Sequence, residues 1–238
     1  MLHFPVLLEE SIDFLVQKDD GNFIDCTYGR GGHSSAILNK LSKKGHLTSF
    51  DKDPEAYEHA CNISENNFTS IHSSFNNINK YFSNNSVDGI LYDLGTCSTH
   101  FDDGARGFSF KNNGPLDMRF NSSKGDPLSV WINEASSKEI MEVLYKYGEE
   151  KHGKLIAQKI IESREIEFIR TTLQLSQIIQ DIYPEKKIKT HPATKSFQAF
   201  RIFINNELNE LEESLNQASK IIKKDGVIVV ISFHSLED

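Results

Sequence analysis

No run of apolar residues in this 238-residue chain approaches the roughly 18 that a membrane-spanning helix needs, so no membrane partner is expected. Cysteine is scarce. Cys26, Cys61 and Cys97 are odd in number and scattered, and none forms a CxxC pair, which argues against a disulfide framework and against a cysteine-based zinc site. The histidines show no HExxH or similar spacing, and no metal is expected. The first residues lack a basic segment, and Glu9 and Glu10 interrupt their short apolar run. They therefore do not read as a signal peptide, and they lack the Arg-rich, acid-poor character of a transit peptide. These absences point to a cytoplasmic protein.

Charge of one sign is in excess, with 34 Asp and Glu against 26 Lys and Arg, for a net charge of −8. It is unevenly spread. Residues 106–206 hold 16 basic against 12 acidic side chains, while the remainder is acidic. An acidic body with a mildly basic middle is compatible with RNA contact through the middle.

What is present is a strand-and-helix alternation. Phe23-Ile24-Asp25-Cys26-Thr27 reads as a short buried strand, followed by a glycine-rich turn. A helical apolar pattern comes next at Ala36, Ile37, Leu38 and Leu41. Gly45 closes that helix. His46 to Phe50 reads as a second strand ending at Asp51, and Pro54 suits the first turn of a further helix. Val87 to Tyr92 reads as a strand ending at Asp93, and Val227 to Ile231 is the most apolar β-branched run. The alternation predicts an α/β fold with a parallel sheet. The long gap between Asp93 and Val227 far exceeds a βαβ crossover. Ile204, Leu208, Leu211, Leu215, Ala218 and Ile222 predict the crossover helix, with Asp225-Gly226 as the turn after it. The reading is therefore a discontinuous domain over 1–103 and 196–238, with an inserted helical subdomain over 104–195.

The turn Gly29-Arg30-Gly31-Gly32-His33 lies where a strand becomes a helix. Glycines there permit positive φ and close approach of a ligand to the backbone. Dinucleotide folds use a similar turn. Three details favour S-adenosyl-L-methionine. Asp25 lies four residues before Gly29, where it either binds the cofactor's ammonium or positions the turn. The spacing is GxGG and not GxGxxG. Asp51 can take both ribose hydroxyls. Asp93-Leu94-Gly95 and Ser232-Phe233-His234-Ser235 reach the same carboxyl edge of the sheet, where ligands bind in such folds.

These residues resemble the RsmH (MraW) methyltransferases, which methylate N4 of a cytidine in the decoding centre of 16S rRNA. The resemblance rests on His3-Phe-Pro-Val-Leu-Leu-Glu-Glu10, Asp25 to Ser34, Asp51-Lys-Asp-Pro54, Asp93-Leu-Gly95 and Arg106-Gly-Phe-Ser-Phe110. It continues through Gly114-Pro-Leu-Asp-Met-Arg119, His191-Pro-Ala-Thr194, Phe197-Gln-Ala199, Arg201, Asn205, Glu207-Leu208 and Ser232 to Asp238. It implies a Rossmann-like class I methyltransferase sheet, an insertion that helps recognise RNA, and the small ribosomal subunit as partner. It assigns cofactor contacts to Gly31, Gly32, His33, Asp51, Phe75, Asp93 and, at a position where the family carries Gln, His100. Thr96-Cys97 stands where the family has a Val-Ser type pair. The family continues beyond the position of Asp238 with a basic segment and the last strands, so the chain reads as a C-terminally truncated member.

An exocyclic amine is a poor nucleophile, so the site must orient it and accept a hydrogen bond from it, with the base turned out of its stack. Asp93 is the first candidate acceptor, and its two roles, acceptor and cofactor ligand, stay open. His234 is a second candidate catalytic residue. Asp117, Arg119, His191 and Arg201 are candidate substrate contacts, with an ion pair fixing the insertion as the other reading of Asp117 and Arg119. Two other functions fit the same fold: a truncated, non-catalytic fragment that binds cofactor or RNA, and an NAD-dependent oxidoreductase. The oligomeric state, a homodimer included, is left open.

Overall fold

The computed structural model describes residues 5–183 and 190–238. His3 and Phe4, the first residues of the matching N-terminal stretch, lie outside them, as do residues 184–189 of the insertion. The chain divides into two compact units, one formed by Met1–Cys97 and Leu208–Asp238, the other by Ser98–Glu207.

In the first unit, α1 (Leu8–Leu15) precedes β1 (Asn22–Asp25), α2 (Gly32–Lys40), β2 (His46–Asp51), α3 (Pro54–Ala60), β3 (Phe68–His72) and β4 (Val87–Asp93). The polar stretch between β3 and β4 holds a single 3-10 turn, Phe75–Lys80. The chain leaves for the second unit, with α4 (Ser98–Asp102), α5 (Leu128–Glu134), α6 (Ser137–Gly148), α7 (Gly153–Ile166), α8 (Thr172–Gln180) and α9 (Thr194–Ile204). It returns through α10 (Glu207–Ile221) and β5 (Ile222–Ile231).

The five strands pair in the order β3-β2-β1-β4-β5, and every pairing is parallel. Order reverses between β1 and β4, and the carboxyl ends of these two strands therefore flank the crevice where such sheets bind ligands. The central strands β1 and β4 bury apolar side chains on both sides, as the inner strands of a parallel sheet must. Phe23, Leu47 and Leu91 pack with Ile12, Leu15 and Ile37 from α1 and α2. Ile24, Phe50, Ile90 and Tyr92 pack on the opposite face with Leu211, Ala218 and Ile221 from α10.

Three details differ from the sequence reading. The helix expected to run from Ile204 onward is broken: Asn206 takes a left-handed φ of 52°, and α9 ends before it. Strand pairing also starts earlier than Val227. Ile222 already pairs with Val87, and the Asp225-Gly226 turn survives as an irregularity within β5, Asp225 having φ 66°. The domain boundaries expected at 103 and 196 shift to 97 and 207. The reason is α9, whose Phe197, Ala199 and Phe200 sit in the helical unit's core with Leu144, Ile156 and Leu175. Among the described residues, no helix is long and apolar enough to cross a membrane.

Candidate active site

The site is built at the ends of β1, β2 and β4. Asp25, the last residue of β1, is fully buried. Its Oδ1 accepts from the Thr27 N–H at 3.0 Å, and its Oδ2 from the Ser34 hydroxyl at 2.6 Å. Burial pushes the Asp25 carboxyl above the ordinary carboxylate range, against the pull of those two bonds. Both oxygens therefore serve the chain: Asp25 ties the strand end to the turn and to α2. Of the two roles left open for it, the structure supports positioning.

The turn itself demands glycine at two places. Gly31 has φ 75°, and a Cβ there would lie 2.6 Å from the Tyr28 hydroxyl. At Gly32 a Cβ would meet the Pro5 ring at 2.2 Å, so the N-terminal segment lies against the turn. Beneath it, Tyr28 meets His59 Nδ1 at 2.8 Å, and burial pushes the phenol up to about 12. Gly31 is the N-cap of α2, and no side chain caps that helix. Its first N–H groups form a positive end suited to a carboxylate.

Asp51 ends β2. Its Oδ2 accepts from the Gly29 N–H at 2.8 Å and its Oδ1 from the Asp53 N–H at 2.9 Å, which fixes the carboxylate's orientation. Asp53 in turn caps α3, with Pro54 in the first turn. Phe75 opens the 3-10 turn after β3 and meets the buried Tyr92 edge-to-face at 5.6 Å.

Asp93 ends β4, two residues beyond Leu91, the partner of Asp25. Its N–H donates to the Thr27 hydroxyl at 2.7 Å, which joins the ends of the two strands at the reversal point. Its Oδ2 lies 3.5 Å from His33 Nδ1, and His33 Nε2 lies 3.2 Å from the Val6 carbonyl. His33 is buried, so its ring spans from the N-terminal segment to the Asp93 carboxylate. Cys97 borders the same turn, its Cβ 3.8 Å from where a Gly29 Cβ would stand. His234 follows β5 on the same carboxyl edge. Its Nε2 lies 3.0 Å from Glu237 Oε1, without hydrogen-bond alignment.

The remaining candidates lie in the helical unit. His100 is buried between Phe108 and Phe120, with ring centroids at 4.9 and 5.1 Å. Asp117 and Arg119 form a two-pronged ion pair at 2.7 and 2.6 Å, and Arg119 also donates to the Gly125 carbonyl at 2.6 Å. Arg201 is likewise paired two-pronged with Glu207, at 2.9 and 3.0 Å. These arginines fix loops and helix ends. His191 stacks on Phe110 at 4.3 Å, bonds to Gln180, and has its imidazole pKa lowered by burial and by Lys111.

Sequence reasoning missed Thr27, Ser34, Arg106 and Glu210 as structural parts of the site and insertion. Thr27 and Ser34 lie inside the quoted motif, where their spacing from Asp25 was the available signal. Arg106 donates to the Phe120 carbonyl at 2.8 Å. Glu210 carried no local signal, because its partners are far away in sequence.

A parallel sheet of this order, with a glycine turn after β1 and carboxylates ending β1, β2 and β4, defines a Rossmann-like, class I methyltransferase fold. Residues 1–238 match the model of the MraW methylase family, and the chain belongs to that family. It uses S-adenosyl-L-methionine. The chain is 45% identical over 241 residues to the ribosomal RNA small subunit methyltransferase H of Ruthia magnifica subsp. Calyptogena magnifica, covering 99% of this chain and 78% of the relative. Solved structures are similar in part. An S-adenosylmethionine-dependent O-methyltransferase of Thermotoga maritima matches with TM-score 0.33 and 18% identity, over 39% of this chain and 37% of that one. TYW2 of P. horikoshii, solved in complex with MeSAdo, matches with TM-score 0.30 and 22% identity, over 40% and 37%.

Proposed function

We propose that the protein transfers a methyl group from S-adenosyl-L-methionine to N4 of a cytidine in the decoding centre of 16S rRNA, within the small ribosomal subunit. The observation that carries this reading is the convergence of Asp51, the Gly29–His33 turn and Asp93 on one sheet edge, in a chain 45% identical to an rRNA small subunit methyltransferase H.

The residues present fit the cofactor. Asp51, held by two backbone N–H groups, offers its carboxylate to a vicinal ribose diol. The α2 N-terminus at Gly32 and His33 suits the amino-acid carboxylate. Phe75 offers an aromatic face to adenine. When bound, the cofactor supplies an electrophilic methyl group on sulfur.

Asp93 accepts a hydrogen bond from the target amine, which draws the nitrogen lone pair out of conjugation with the ring. The Thr27 hydroxyl fixes the Asp93 backbone, and His33 faces its carboxylate, so the acceptor is held before substrate arrives. The helical unit supplies RNA recognition. There Asp117–Arg119 shapes a loop, and the Phe110–His191 stack offers aromatic surface to nucleotides.

The test uses labelled cofactor and small subunits lacking the modification, followed by nucleoside mass spectrometry. N4-methylcytidine is expected, and Asp51→Ala should reduce transfer at least about 100-fold, comparable to loss of a key positioning contact. Label on a ribose hydroxyl or a ring carbon, or cofactor binding with no transfer, would overturn the reading.

A further inference from the structure

Helix α10 carries a polar stripe, Glu210, Glu213, Ser214 and Gln217, at the three- and four-residue steps that place side chains on one face. Every member of the stripe bonds to the segment after β3. Glu213 accepts from Asn76 Nδ2 at 2.9 Å. Ser214 donates to the Phe75 carbonyl at 3.1 Å and meets the Tyr92 hydroxyl at 2.7 Å. Gln217 donates to the Asn76 carbonyl at 2.7 Å and accepts from the Asn79 N–H at 3.1 Å.

Glu210 does more than its neighbours. Its Oε2 accepts from the Ser74 hydroxyl at 2.9 Å and from Lys52 Nζ at 2.8 Å. Ser74 immediately precedes Phe75 and caps its 3-10 turn, and Lys52 immediately follows Asp51. One carboxylate oxygen thus joins the loop after β2 to the loop after β3. The Lys52 and Glu210 side chains are 19% and 15% exposed, so the ion pair is largely shielded from solvent. Charge-assisted bonds of this kind are stronger and shorter than neutral ones.

Asp51 is held on its own side by Gly29 and Asp53, and Phe75 by the edge of Tyr92 and by Ser214. The Glu210 bridge adds a side-chain tie between the two loops, beyond the β2–β3 pairing that sets Asp51 opposite His72. We infer that Glu210 is a positioning residue that gauges the adenosine end of the cofactor, by holding the Asp51 and Phe75 loops at the separation a nucleoside requires. This rests on the assignment of Asp51 to ribose and Phe75 to adenine made above. The cofactor's amino-acid end, at the α2 N-terminus, lies outside this bridge.

The experiment is titration calorimetry with two ligands, S-adenosylhomocysteine and methylthioadenosine, the second having no amino-acid end. Glu210→Ala, Glu210→Gln, Lys52→Met, Ser74→Ala and Asp51→Asn are compared, each with its melting curve. Glu210→Ala should weaken both ligands by the same factor, about tenfold, with Glu210→Gln intermediate. Lys52→Met and Ser74→Ala should each show a smaller common loss, which serves as the test even where Glu210→Ala fails to fold. A purely structural role would lower the melting point and the fraction of binding-competent protein while leaving the dissociation constants unchanged, and that result would overturn the inference. If Asp51→Asn weakens both ligands while the Glu210, Lys52 and Ser74 variants do not, the bridge alone is overturned. If Asp51→Asn also leaves both affinities unchanged, the placement of adenosine falls, and the bridge with it.

Discussion

Ser34 and Asp25 show how much of the site is held by bonds that never reach a ligand. The Ser34 hydroxyl donates at 2.6 Å to a carboxylate with no exposure, inside the first turn of α2. Removing it strips a buried acceptor of its donor, which costs about 1–3 kcal/mol. Ser34→Ala should therefore lower stability by that amount in denaturant titration and raise the Asp25 carboxyl further. Cofactor affinity should fall less than in an Asp51 variant, because both Asp25 oxygens are bonded within the chain. The Thr27 hydroxyl plays the equivalent part across the gap between β1 and β4.

At the scale of elements, the sheet has two ends with different duties. The carboxyl end carries the site, and the amino end carries a charge cluster around Asp88. That carboxylate accepts from the Asn22 N–H and from Lys223, each at 2.8 Å, and pairs with Lys18 at 2.8 Å. Burial alone would raise the Asp88 carboxyl, but the bonds from Lys18, Lys223 and Asn22 outweigh it and hold the group below its ordinary range. A carboxyl depressed in the folded state stabilises above its unfolded pKa, about 3.9, and that contribution is lost as pH falls through the lower folded value. Asp88→Asn should lower the melting midpoint by about 2–4 °C at neutral pH, and the difference from the parent should shrink below pH 4. A constant difference down to pH 2 would show that charge is not the cause.

The elements also show where sequence reading succeeds. β1, its glycine turn and α2 are contiguous, and Asp51 and Asp93 each end an apolar run, so local pattern revealed them. The Asn206 break was concealed because leucine spacing continues through it from Ile204 to Leu208 and Leu211. The α9 assignment was concealed for another reason. Phe197, Ala199 and Phe200 show an apolar face, and periodicity does not say which core that face enters. The Glu210 bridge to Lys52 and Ser74 joins residues more than 130 positions apart, and no local signal marks such a pair.

At the scale of the whole molecule, each unit owns its core. The helical unit's is organised around a loop that Asn205 clamps. Its side chain accepts from the Phe120 N–H at 2.7 Å and donates to the carbonyls of Met118 at 2.7 Å and Arg201 at 2.9 Å. Met118 sits at φ 64°, a strained conformation that needs such support. Asn205→Ala should increase amide exchange in residues 115–120 and at the end of α9, read by mass spectrometry. The protection of β1 and β2 should be unchanged.

The order of the sheet has a consequence for how the protein is made. Everything assigned to cofactor contact in the first unit, from Gly31 to Asp93, is translated before the helical unit begins, whereas β5 and Glu210 are translated after it ends. At 5–20 residues per second, the nascent chain waits on the order of ten seconds with one edge of β4 bare. During that interval it has the residues proposed to contact the cofactor but neither the strand that covers β4 nor the carboxylate that bridges the two loops. An exposed strand edge of this kind invites pairing with another chain, so the protein's yield in cells should depend on holding chaperones.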